Sequence, residues 1–112
     1  MELGKFLKST GILEADVIPE LIPYIREFIV DRIAELKLLE ESLALRDFEE
    51  IRRMAHKWKG ICAPYGFATL GELGAGLEEA AVREQDTAVH FFIKEAQVFL
   101  ETRMAKFPAQ YV

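Results

Sequence analysis

The 112-residue sequence predicts an all-α protein, an up-down antiparallel four-helix bundle with a short N-terminal helix or arm. Three observations carry that reading. Apolar residues recur at intervals of three and four, as one face of a helix requires. The segments that show this are long, and no stretch alternates apolar with polar as a half-buried strand does. The connections between them are short and rich in capping and turn residues, which sets successive helices antiparallel.

Residues 1–15 are predicted to cover one end of the bundle as a short helix or arm, anchored by Phe6, Leu7 and Ile12. The first long helix runs from near Pro19 to about Leu45, with Ile22, Ile25, Ile29, Ile33, Leu36, Leu39 and Leu43 inward. Pro23 limits where it can start, because proline is tolerated only where its missing N–H has no partner to lose. Asp16 is the expected cap upstream. The second helix spans Asp47 to Cys62, with Phe48, Ile51, Ala55, Trp58 and Cys62 on one stripe. Asp47 caps it, Glu49 and Glu50 suit its positive end, and Pro64 and Gly66 bring it to a close. The third covers roughly Phe67 to Arg83, with Leu70, Leu73, Leu77 and Ala80 or Ala81 inward. Its glycines, Gly71, Gly74 and Gly76, each cost about 1 kcal/mol relative to alanine and are compatible with close helix approach. Glu84, Gln85 and Asp86 form a turn, and Asp86 caps the fourth helix. The fourth core stripe is Val89, Phe92, Ile93, Ala96, Phe99, Leu100, Met104 and Phe107. The length suits one domain over residues 1–112, with the arm at 1–15 and the bundle at 17–107.

The composition narrows the function. Apolar residues make up 51% and charged residues 29%, the balance of a globular chain. A net charge of −5 argues against nucleic-acid binding, which relies on Lys and Arg to neutralise phosphates. One cysteine, Cys62, excludes an internal disulfide and a multi-cysteine zinc site. No apolar run is long enough to span a membrane, and the start MELGKFLKSTG lacks the apolar core of a signal peptide. The expectation is a cytoplasmic protein without membrane insertion.

His56 is the residue the core does not explain. With Ala55 at 0° on the second helix, the stripe of Phe48, Ile51, Trp58 and Cys62 lies between about −60° and +20°, and His56 lies near 100°. Arg52 is four residues before it, Lys59 three after and Gly60 four after, so all are its surface neighbours. An imidazole open to water, flanked by cations and by a position with no side chain, suits a phosphorylated histidine. Near neutral pH an imidazole offers a nitrogen lone pair that can attack an acyl phosphate. Lys59 and Arg52 can stabilise the charge that arrives. Gly60 and Ala63 leave room for a second protein to approach. With no nucleotide or metal site in view, that protein must bring the metal. Gly60, Ala63, Tyr65 and Phe67 form the expected docking surface. The competing reading, that Phe67 begins the next helix and packs inward, stays open.

Other residues read as structure. His90 lies off its stripe with no Lys-Gly companion. Cys62 points about 120° away from His56 and belongs to the core, which disfavours thiol catalysis. GFATLGELGAG lacks the GxxxxGK[ST] pattern and a preceding strand, so it is not a phosphate loop. Glu40, Glu41, Glu49, Glu50, Glu78 and Glu79 are adjacent pairs that read as solvated faces. Neither histidine has a Glu three residues before it, as a di-metal bundle would need.

The run AHKWKGICAPYGFATLGELGAGLEEAA resembles the bacterial Hpt signature. The matching positions are His56, Lys59 and Gly60, then Gly66, then Leu70, Leu73, Leu77 and Glu78. Upstream, PELIPYIREF and LALRDFEEIRRMAH are similar to the family's segments ahead of its histidine helix, so the resemblance covers roughly residues 17–105. It implies a four-helix bundle whose histidine, on the second long helix, takes a phosphoryl group on Nε2 from a receiver-domain aspartyl phosphate or a histidine kinase. Three positions depart: Trp58 stands where Leu is usual, Ile61 where Ser or Thr is common, and Pro64 falls late in the helix. Trp58 is in the core stripe and bears on packing; Ile61 bears on fine orientation at the site.

The expected function is therefore phosphoryl transfer through His56 between receiver aspartates in a two-component phosphorelay. The expected partners are response-regulator receiver domains and a histidine kinase or hybrid kinase. The protein is expected to be a monomer and to need no cofactor of its own, the Mg²⁺ residing on the receiver. Two readings compete: a helical adaptor that binds a receiver or kinase without accepting phosphate, and a structural bundle that dimerises through an exposed apolar stripe. Intact His56, Lys59 and Gly60 favour transfer.

Overall fold

The computed structural model describes residues 2–107, and all regular structure among them is helical. Helix α1 spans Leu3–Ser9, α2 Ile25–Ala44, α3 Phe48–Ile61, α4 Ala68–Val82 and α5 Asp86–Met104. Short 3₁₀ segments at Pro19–Tyr24 and Ala63–Tyr65 lead into α2 and out of α3.

The starts of α2 and α5 differ from expectation. The α-helical ladder begins at Ile25 instead of near Pro19, because Pro23 sits inside the preceding 3₁₀ turn. Its ring and missing N–H oppose an α-helix running through it. Asp16 caps nothing; its carboxylate takes the Lys8 ammonium at 2.7 Å. Asp86 is the first residue of α5, with Gln85 in the capping position. Its carboxylate pairs with Arg46, at the end of α2, and still faces the positive helix end. Asp47 does cap α3, accepting a bond from the Glu50 N–H at 3.1 Å.

Helices α2, α3, α4 and α5 form a closed ring of neighbours: α3 packs on α2 and α4, and α5 packs on α2 and α4. Contacting residues run in opposite directions along the α2–α3, α3–α4 and α4–α5 pairs. Tyr65 stacks on Phe28, and farther along α2 Trp58 meets Glu35. Gly71 faces Cys62, and Gly74 faces Ala55 and Lys59. Phe67 meets Phe99, and Gly76 meets Phe92.

The core forms between these helices. Ile29, Leu39, Ile51, Trp58, Leu70, Leu77, Ile93 and Leu100 are buried almost completely. Each such side chain stabilises the fold by about 1.5–3 kcal/mol relative to exposure. Ile22, Ile33, Leu43, Leu73, Phe92 and Met104, all predicted inward, are half-buried at its margin.

The N-terminal segment closes one end. Leu7 and Ile12 are fully buried and Phe6 packs beside them. Glu14 ties this segment to the turn after α3: its N–H donates to the Gly66 carbonyl at 2.9 Å. Its carboxylate accepts the Thr69 N–H at 3.0 Å and the Thr69 hydroxyl, capping α4 from a distant part of the chain. Gly66 has φ +88°, and a Cβ there would lie 2.8 Å from Leu13. Among the described residues no helix is long and apolar enough to cross a membrane.

Candidate functional site

Helix α3 positions the site. Its inward stripe fixes the rotation of the helix, and the His56 side chain is left 66% exposed on the outer face. Nδ1 of His56 lies 2.6 Å from Oε2 of Glu78 on α4, and the Lys59 ammonium reaches the other carboxylate oxygen at 3.4 Å. Partial burial pushes the Glu78 carboxyl up. The bonds from His56 and Lys59 and the Lys59 charge outweigh it and hold the group below its ordinary range. Glu78 is thus ionised at neutral pH and can only accept. In the neutral ring the proton therefore sits at Nδ1, which donates to Glu78, and Nε2 carries the lone pair. No described residue occupies Nε2. The arrangement leaves one ring nitrogen facing solvent with a carboxylate bound to the other.

The surroundings follow expectation in part. A Cβ at Gly60 would meet nothing within 4 Å, so the space beside His56 is open. Lys59 and Ala63 are exposed, and Tyr65 is half-buried, stacked on Phe28 with ring centroids 4.3 Å apart. Phe67 corrects the docking surface. It is fully buried, stacked on Phe28 and edge-on to Phe99, because it precedes α4 where the chain turns into the core. Arg52 bonds to Glu49, with Nη2 at 2.6 Å from Oε1, and not to His56. His90 is exposed on α5, away from this cluster. Cys62 is buried, and burial pushes its thiol up to about 12, which removes it from thiolate chemistry.

Glu78 is the neighbour of His56 that the pairing of carboxylates concealed. Read as half of a solvated pair with Glu79, it is instead only 18% exposed and bound to two site residues. A helical wheel carried a signal. With Leu70 at 0°, Glu78 falls near 80°, on the flank of the α4 stripe, while Glu79 falls near 180°.

Close approach of α3 and α4 makes the contact possible. A Cβ at Gly74 would lie 3.0 Å from the Lys59 backbone nitrogen and 3.2 Å from the Ala55 carbonyl oxygen. One turn later Glu78 reaches His56. Gly74→Val is expected to cost about 1–3 kcal/mol in urea unfolding, as overpacking does. It is also expected to break the His56–Glu78 bond, which imidazole ¹⁵N shifts would report as a mixture of tautomers.

Comparison with known proteins agrees with this geometry. The family model for the Hpt domain matches residues 23–105, which include His56, Lys59, Gly60 and Glu78. No curated protein and no solved structure matches. Hpt domains take part in two-component phosphorelays, where they meet receiver and kinase domains. Matched along the whole of α2 to α5, the chain belongs to the Hpt domain family.

Proposed function

We propose that this protein is a histidine phosphotransfer protein, and that Nε2 of His56 carries a phosphoryl group between receiver-domain aspartates. The observation that carries the reading is the Nδ1–H bond to Glu78 at 2.6 Å on an otherwise exposed ring. It selects the tautomer whose free nitrogen faces the approaching partner.

In the forward step the Nε2 lone pair attacks phosphorus in line. The N–P bond forms as the bond from phosphorus to the aspartyl oxygen breaks, and the aspartate leaves as a carboxylate. No proton moves: Nδ1 keeps its hydrogen, and the ring gains positive charge that the Glu78 carboxylate stabilises. The orienting carboxylate of a Ser-His-Asp triad plays the same part. Lys59 is held by a long contact of 3.4 Å, so it can turn from Glu78 to the phosphoryl oxygens at little cost. Arg52, engaged by Glu49, adds only distant positive charge. The reverse reaction delivers the group to a second receiver. Mg²⁺ and most of the electrostatic stabilisation of the transferred group belong to the receiver in this reading. Gly60, Ala63 and Tyr65 form the contact surface, which suits a small, transient encounter.

The closed ring of helix pairs, with contacts running in opposite directions along three of them, supports an up-down antiparallel four-helix bundle as the scaffold. We take residues 17–107 as that working unit, with a cytoplasmic location to match its partners.

The test is transfer from a ³²P-labelled receiver. The expected result is acid-labile, base-stable label on the protein, mapped to His56. Binding of the receiver without labelling would make the protein an adaptor, and label on another residue would move the site.

A further inference from the structure

We propose that the outer face of α5 is a homodimer interface, on which α5 of a second copy packs in parallel. Phe91 and Val98 are 54% and 63% exposed, although both are large and apolar. Thr87, Phe91, Val98 and Thr102 fall within an arc of about 60° on the helix, so they make one neutral stripe directed away from the core. Phe91 also stands edge-on to Phe92, with centroids 5.4 Å apart, which broadens the apolar surface.

The charges beside the stripe select the occupant. Lys94 lies along one edge and Glu95 along the other, at about −60° and +40° from Phe91. A twofold axis parallel to the helices sets the left edge of one stripe against the right edge of its mate. Lys94 of each copy then meets Glu95 of the other, while Phe91 meets Phe91 and Val98 meets Val98 across the axis. An antiparallel pairing centred on Lys94 would set Lys94 against Lys94, and one centred near Val98 would set it against Glu101, which Gln97 already engages at 3.0 Å, and would leave Glu95 without a partner. Both charges are available: Lys94 makes only a 3.5 Å contact with Gln97, and Glu95 has no ion pair among the described residues.

Helix α5 packs on α2 and α4, so its outer face is directed away from α3, and His56 stays open in both copies. The inference therefore stands apart from phosphotransfer. On this proposal the protein associates weakly where the sequence led to the expectation of a monomer. A contact built on one helix pair belongs to the smallest interface class, so the association is expected to be weak.

Sedimentation equilibrium between about 10 μM and about 1 mM tests the proposal. The mass is expected to rise from 12.8 kDa toward twice that value, and His56→Gln is expected to behave alike. A monomer throughout would overturn the dimer. Phe91→Asp is expected to weaken association by at least about tenfold, since the axis places the change in the interface twice. Lys94→Glu and Glu95→Lys should each weaken it, and the two together should restore it; no restoration would overturn the parallel arrangement. Val98→Cys is expected to form a disulfide-linked dimer on mild oxidation. The native Cys62 is buried, so the unmodified protein is the control, and absence of the crosslink would overturn the register. Phe91, Lys94, Glu95 and Val98 are all exposed, which separates these effects from folding.

Discussion

His56→Gln is expected to accept no phosphoryl group at all, whereas Glu78→Gln is expected to accept it about ten- to a hundredfold more slowly. The first change removes the nucleophile. The second removes the charge that fixes the ring: a glutamine amide can donate to Nδ1 as well as accept from it, so the reactive tautomer loses its advantage. Losing the equivalent carboxylate in a buried triad costs about 10⁴. Here the ring is 66% exposed and water competes for Nδ1, which reduces the effect. Rapid-quench transfer from a saturating phosphorylated receiver measures it, with receiver affinity expected to be unchanged. The sign of the pH dependence follows from the lowered Glu78 pKa. The orienting charge is complete above the ordinary carboxylate range and is lost as pH falls through the depressed value. The ratio of native to Glu78→Gln rates should stay constant near neutrality and close in acid. Equal rates at neutral pH would remove Glu78 from the mechanism.

Glu35→Ala is expected to cost about 3 kcal/mol and to lower the melting temperature by about 10–15 °C. Glu35 sits between α2 and α3, 14% exposed, and accepts from the Trp58 indole N–H at 2.8 Å, from Arg32 and from Lys57. Removing it strands the Arg32 guanidinium, on a residue 8% exposed, and leaves a buried indole N–H unsatisfied. Replacing Arg32 and Glu35 together by methionine should recover the part due to the stranded guanidinium, while the part due to the unsatisfied Trp58 N–H remains. Burial pushes the Glu35 carboxyl up. Bonds from Lys57 and Trp58 and the charges of Arg32 and Lys57 outweigh this, so it lies below its ordinary value. Its contribution is therefore present above the unfolded-chain pKa and is lost as pH falls through the folded one. In urea unfolding, the gap between the native protein and Glu35→Gln should be widest at neutral pH and should narrow in strong acid. A gap independent of pH would show that the carboxylate charge is not what stabilises this junction.

The elements were legible because helix formation here is decided by local spacing. Phe48, Ile51, Ala55, Trp58 and Cys62 repeat at helical intervals behind an Asp47 cap, and all five are buried. The same arithmetic put His56 outside the stripe, and exposure followed. Helix starts were less legible where two local signals competed. Near Pro23 the apolar spacing continues upstream while the proline forbids the ladder, and the proline prevails. At α5, Asp86 has the chemistry of a cap, but the Arg46 side chain across the bundle engages its carboxylate.

Taken alone, the sequence determined the helices, their inward faces and the presence of one exposed histidine with a lysine one turn on. Each depends on residues within a few positions of one another. The tertiary structure decided which groups from different helices meet. Glu78 reaches His56 because Gly74 lets α4 approach α3, and Phe67 leaves the surface for a site between Phe28 and Phe99. Such contacts depend on axial offset and helix separation. The packing of the whole core sets those two quantities, and no local pattern encodes them.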